Sequence, residues 1–221
     1  MREVIVNDFP KSSLAEELKT VKTNLKFSSV TKKNQVILLT SSISGEGKSF
    51  IASNLAASYA NSKEKVLLID CDLRLGRQQR IFELDNDIGL SNLLVSESGL
   101  DNIKDYIQKT NINNLSVLIA GTVPPNPTVL LESPKMERLL EILRDMYDVI
   151  ILDSVPVVGF TDSLLLSKLV DTTLIVVKAK KTTREMLENT KESLNMVGAN
   201  ISGVILNNAK KNKNKYYGGY Y

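Results

Sequence analysis

The residues Ser41-Ser42-Ile43-Ser44-Gly45-Glu46-Gly47-Lys48-Ser49 follow a β-branched apolar run at 36–40 and precede a helical pattern. A glycine-bearing loop between a strand and a helix turns successive backbone N–H groups and the helix amino end onto phosphate oxygens. In that setting Lys48 reaches the β and γ phosphates, and the Ser49 hydroxyl ligates Mg²⁺. Glycines at 45 and 47 let the backbone come close. The candidate nucleotide-binding set is therefore Ser44, Gly45, Glu46, Gly47, Lys48, Ser49 and Phe50, with ATP the expected nucleotide. The usual pattern opens with Gly where this chain has Ser42. The plainer alternative is a turn whose lysine faces solvent; the strand before, the helix after and the acids downstream argue against it.

Those acids end two apolar runs. Asp153 closes Val149-Ile150-Ile151-Leu152, placed to orient Mg²⁺ or its water as a Walker B aspartate does. A strand-end aspartate that merely caps a loop is the alternative. The run Val66-Leu67-Leu68-Ile69 leads into Asp70-Cys71-Asp72-Leu73-Arg74, and extended geometry points Asp70 and Asp72 to the same side. One of them can serve the metal while the other meets an incoming hydroxyl. The metal set expected is Ser49, Asp153 and one of Asp70 and Asp72; Lys48, Asp70, Asp72 and Asp153 are the candidate catalytic residues.

Such residues need elements to carry them. Short β-branched runs at 36–40, 66–70, 115–119, 149–153, 173–178 and 201–207 alternate with helical patterns at 48–60, 134–146, 162–169 and 184–196. That alternation predicts an α/β fold, P-loop NTPase-like, with a mostly parallel central sheet and helices on both faces. The nearly continuous apolar runs at 66–69 and 149–152 belong at the sheet centre, covered on both faces. A helix is predicted over 13–26 from Leu14, Leu18, Val21 and Leu25, with Ser13 and Glu16 as a capping box. Three prolines in 121–127 predict a rigid loop near the ligand edge. Residues 1–12 read as a lead-in with no element, 13–207 as the P-loop domain, and 208–221 as a flexible tail.

With 221 residues, 43% hydrophobic and 24% charged, the chain suits one large soluble domain. A net charge of +3 is too balanced for wholesale nucleic-acid binding. A single cysteine, Cys71, excludes an internal disulfide framework and fits a reducing cytoplasm; the absence of histidine removes the usual zinc ligands. No apolar run reaches the roughly 18 residues of a membrane span. The tail differs from the rest: Lys210, Lys211, Lys213 and Lys215 precede Tyr216, Tyr217, Tyr220 and Tyr221. Alone, it would read equally well as a solvated segment or as one that binds anionic lipid or nucleic acid.

Taken together, Lys48 in its loop, Asp70-x-Asp72-x-Arg74 and Asp153 resemble the Walker A, A′ and B motifs of the bacterial tyrosine kinases of capsule and exopolysaccharide export. The resemblance runs from Ser13 to the carboxyl terminus. It implies ATP- and Mg²⁺-dependent phosphorylation of the tail at Tyr216, Tyr217, Tyr220 and Tyr221, with Asp72 as the group that meets the tyrosine proton. It also implies an Asn207 that faces the base, and a ring-type homo-oligomer assembled through Glu16, Lys19 and Lys22. A membrane adaptor of the polysaccharide co-polymerase type, a phosphotyrosine phosphatase and a place at the inner face of the plasma membrane follow from it too. The chain departs from the family in three places: Lys for Arg at 19 and 22, Ser154-Val155 for Thr-Pro, and Leu75-Gly76 for Lys-Pro. Loss of the arginine fork weakens pairing across subunits. The rival reading is a ParA- or MinD-like positioning ATPase without protein kinase activity, whose signature lysine would stand where this chain has Ile43. A non-enzymatic nucleotide-binding regulator is a third reading, opposed by the intact lysine, serine and three acids.

Overall fold

Runs of apolar residues that lack a helical period can bury both faces only inside a sheet, and that is where they lie in the computed structural model, which describes residues 4–27 and 35–209. The strands are β1 Val36–Ser41, β2 Val66–Asp70, β3 Gln108–Lys109, β4 Leu115–Leu118, β5 Val149–Pro156, β6 Thr172–Lys178 and β7 Ile201–Asn207. Among the described residues they form a seven-stranded sheet of order β3-β4-β2-β5-β1-β6-β7. Every pairing is parallel except β3 with β4. The central strands β1, β2 and β5 are buried along their whole length, as the two apolar runs predict.

The helices are α1 Ile5–Asp8, α2 Ser13–Phe27, α3 Lys48–Ala60, α4 Gln78–Phe82, α5 Leu90–Val95, α6 Ile103–Tyr106, α7 Pro127–Glu132, α8 Pro134–Met146, α9 Asp162–Ser167 and α10 Arg184–Met196. One layer packs α3, with α1 and α2 outside it, on Ile37, Leu39, Leu68 and Ile151. The opposite layer sets α5 and α8 against Leu38, Leu67, Ile69 and Ile150. Alternate residues of the same strands thus serve opposite layers, and both faces of the sheet are covered.

Three sequence expectations change. Residues 5–8 of the predicted lead-in form α1, where Val6 is buried and donates its N–H to Asn54 Oδ1 at 3.0 Å; four residues are too few to show a helical period. The cap of α2 is Ser12, whose hydroxyl accepts from Ala15 N at 3.2 Å, while Ser13 bonds Glu17 and Glu16 pairs with Lys19, so the predicted Ser13/Glu16 box is not used. Strand β5 runs three residues past Asp153 because it pairs with β1 to its end, Pro156 opposite Ser41 after a register shift. Residues 121–126 are the expected loop; Pro127 opens α7, where its missing N–H is not needed.

Candidate active site

Strands β1, β2 and β5 deliver the loop and the acids to the same edge, because all three are parallel and adjacent. Asp70 and Asp153 are register partners across β2 and β5. The loop after β1 opens α3 with Gly47 at φ 92°, a conformation that a side chain resists. The opening N–H groups of α3 cannot be satisfied by the helix itself and remain for an anion. A cleft of about 410 Å³ lies between this loop and the segment after β2, with Lys48, Ser49, Asp72, Arg77, Arg80 and Gly121 in its wall.

The loop is held from behind. Glu46 is fully buried, and its carboxylate accepts from Ile43 N at 2.8 Å and from the Thr182 hydroxyl. Asn207 donates its amide N–H to the Glu46 carbonyl at 2.8 Å, and Lys181 donates to the Ser44 carbonyl at 2.6 Å. A side chain at Gly47 would collide with the Asn207 amide, 2.2 Å from where its Cβ would stand. The Glu46 carboxylate and the Asn207 amide thus brace the loop, together with Thr182 and Lys181. Ser42 is buried with its hydroxyl 2.9 Å from that of Thr190 on α10, and adopts no positive φ.

The acids differ in how they are held. Asp70 Oδ2 accepts from Arg77 N at 2.8 Å and Gln78 N at 2.9 Å, and Oδ1 from Asp72 N at 3.2 Å. Burial, and next the Asp153 charge, push its carboxyl up to about 8. Asp153 Oδ2 accepts from Gln78 Nε2 at 2.7 Å, whereas the buried Oδ1 has no partner among the described residues. Burial raises the Asp153 carboxyl as well, against the opposing pull of Lys48, the Gln78 amide and the nearby Ser49 hydroxyl. Asp72 lines the cleft, half-buried, with Oδ1 fixed by Arg74 N and Leu75 N at 3.3 and 2.9 Å. Arg74 lies over the Phe160 ring and pairs with the buried Asp162, which also accepts from Thr128 at 2.7 Å. That pairing ties the segment after Asp72 to α7 and α9.

Two neighbouring acids that resist ionisation, with one oxygen bare, are what a divalent cation relieves. Among the described residues no group of three or more Cys, Asp or Glu forms a ready metal cage. The donor set fits Mg²⁺, which keeps waters and takes one or two carboxylates plus substrate phosphates.

Gln78, Lys181 and Thr182 escape the sequence reading. The rule that ligands sit at the carboxyl ends of parallel strands marks the loop after β6, and so Lys181 and Thr182, as candidates. No pattern points to Gln78. Glu16, Lys19 and Lys22 share α2, but only the first two face solvent as a pair, 2.7 Å apart. Lys22 lies 5.4 Å above the Tyr59 ring and donates to Ser62 within its own chain. Tyr216, Tyr217, Tyr220 and Tyr221 lie outside the described residues, as do the tail lysines. Among the described residues no helix is long and apolar enough to cross a membrane.

Residues 34–204 match the AAA domain family. The tyrosine-protein kinase YwqD of Bacillus subtilis (strain 168) is 36% identical over 219 residues, which are 99% of this chain and 91% of the relative. The crystal structure of the chimerical protein CapA2B2 superposes with a TM-score of 0.90 at 36% identity, covering 96% of this chain and 92% of that one. The cell division ATPase MinD of Pyrococcus furiosus reaches a TM-score of 0.65 at 24% identity, over 78% of this chain and 71% of its own; that likeness is one of fold.

Proposed function

The chain belongs to the bacterial tyrosine-protein kinases, and on that premise we propose that it transfers the γ-phosphoryl group of ATP to Tyr216, Tyr217, Tyr220 and Tyr221 of its own kind. The acceptor tail comes from a neighbouring copy in a homo-oligomer, and the modification regulates capsular or exopolysaccharide synthesis and export. The observation that carries this reading is a cleft walled by Lys48, Ser49 and Asp72, with Asp70 and Asp153 buried as register partners at the adjoining strand ends and the Lys48 charge acting on Asp153.

Bound Mg²⁺ would supply charge neutralisation between the β and γ phosphates, held through Ser49, Asp153 and Asp70. The chain's own groups do the rest. Lys48 and the amino end of α3 grip the triphosphate and draw electron density toward the leaving oxygen. Asp72, fixed through one oxygen by the turn that follows it, accepts the phenolic proton with the other. The bond from the γ phosphorus to its bridging oxygen breaks as the bond to the tyrosine oxygen forms, and ADP leaves with the electron pair. The 14 residues from Asn208 to the terminus reach at most about 46–50 Å when extended, enough for a neighbour's cleft.

Each phosphotyrosine adds roughly −1.5 to −2 charges. Four of them reverse the sign of the lysine-rich tail and weaken its docking beside the acids, favouring disassembly. A membrane adaptor of the polysaccharide co-polymerase type activates the enzyme at the inner membrane face, and a phosphotyrosine phosphatase resets it. Incubation with Mg-ATP followed by mass spectrometry tests the proposal: native protein gains phosphate on the tail tyrosines, and Lys48→Met does not. ATP hydrolysis with no phosphotyrosine would overturn it in favour of the positioning ATPase whose fold it shares.

A further inference from the structure

Gln78 is a buried, uncharged residue at the start of a five-residue helix, yet it touches all three motifs. Its backbone N–H goes to Asp70 Oδ2. Its side-chain Nε2 goes to Asp153 Oδ2 at 2.7 Å and to the Ser49 carbonyl at 3.3 Å. Both partners of Nε2 are acceptors, so the amide has one workable orientation, with Oε1 on the other side. That Oε1 is buried and without a hydrogen-bond partner among the described residues, as is Asp153 Oδ1. Two orphaned acceptors on adjoining side chains leave a desolvation penalty without compensation. They make sense when donors arrive, and the waters around a cation are such donors.

We propose that Gln78 is the positioning residue for the metal in this site: it occupies one oxygen of Asp153, leaves Oδ1 as the oxygen offered to Mg²⁺, and accepts from a metal-bound water through Oε1. A carboxylate fixed in this way acts through a single oxygen. Asp70, with both oxygens already engaged by backbone N–H groups, has less left to offer the cation than Asp153 has. The amide suits the task because only an amide offers a donor to the acid and an acceptor to the water from one rigid group. Glutamate would set charge against Asp153, and an apolar side chain would do neither. Partners that orient a metal ligand commonly change metal affinity by about 10- to 100-fold when removed.

The inference rests on the nucleotide-binding reading above, and its test separates the two. Binding of a fluorescent ATP analogue is titrated with Mg²⁺ in native protein and in Gln78→Met, which keeps the length but has neither donor nor acceptor. The Mg²⁺ concentration at half-saturation is expected to rise about tenfold, while analogue binding without metal stays within about twofold. A half-saturation unchanged in the variant overturns the positioning role and leaves the kinase reading intact. Native binding that ignores Mg²⁺ overturns both. Gln78→Glu gives a second route that does not depend on the folding of the first variant. It adds a third acid to the cluster, so Mg²⁺ alone, without nucleotide, should raise its melting temperature more than that of the native chain. An equal rise in the two proteins counts against the proposal.

Discussion

At the carboxyl ends of β2 and β5 two acids are buried side by side, both with raised pKa, and one oxygen of Asp153 has no hydrogen-bond partner among the described residues. At the amino ends of β1 and β6 a third acid, Asp171, is held quite differently. Arg144 donates to its two oxygens at 2.8 and 2.9 Å, and Gln35 N and Val36 N donate to Oδ2 at 3.0 and 2.8 Å. Burial alone would raise the Asp171 carboxyl; the Arg144 fork and the two backbone donors outweigh that and hold it below the usual carboxylate range. The two edges of one sheet therefore use the same chemical group to opposite ends. One completes its hydrogen bonding within the fold. The other leaves it incomplete, so that stability is withheld until a ligand arrives.

The sharpest way to break this contrast is Asp153→Asn. Phosphate transfer should fall about 100-fold or more, yet the ligand-free melting temperature should rise by a few degrees, since a neutral amide relieves about 1–2 kcal/mol of strain. A lower melting temperature would mean that the acid is satisfied after all. Asp171→Ala should do the reverse: about 2 kcal/mol of stability is lost in urea titration, while transfer per folded molecule stays within about twofold. The pH dependence of ligand-free melting should separate the edges further. Asp70, with a folded pKa of about 8 against an ordinary 3.8, contributes stability that is complete at low pH and is lost as pH rises through about 8. Asp171, whose folded pKa is depressed, contributes stability present above its ordinary 3.8 and lost as pH falls through the lower folded value. Asp70→Asn should flatten the fall in stability between the ordinary 3.8 and about 8, and Asp171→Asn the acid limb below it; a single substitution that altered both would show the edges to be coupled. The smallest effect is expected at the exposed Arg138–Glu141 pair, an i,i+3 contact on the surface of α8. Arg138→Ala should move stability by no more than about 0.5 kcal/mol.

The six strands with apolar runs and the four longer helices were legible because burial on a sheet or a stripe imposes a period. Helix α9, expected over 162–169, is present over Asp162–Ser167; strand β3 and helices α1, α4, α5, α6 and α7 were not anticipated, since so few residues give a period little room to show. The same limit divides the site. Lys48, Ser49, Asp70, Asp72 and Asp153 stand at strand ends whose direction follows from parallel pairing, so their convergence could be read in advance. Gln78, Thr182 and Lys181 matter only because distant segments meet, and an uncharged amide or hydroxyl carries no local mark of that meeting. Nor does the place of Glu46 in the motif announce that its carboxylate braces the loop, accepting from Ile43 N and the Thr182 hydroxyl.

The serine at position 42 bears on how such proteins are found. Its place in the nucleotide motif is ordinarily written as an obligatory glycine, but here the backbone needs no left-handed turn and the hydroxyl meets Thr190 on a neighbouring helix. What that position has to satisfy is packing against α10, with the phosphate grip set further along at Gly45, Gly47 and Lys48. A search string that insists on the first glycine would discard chains whose catalytic apparatus is whole.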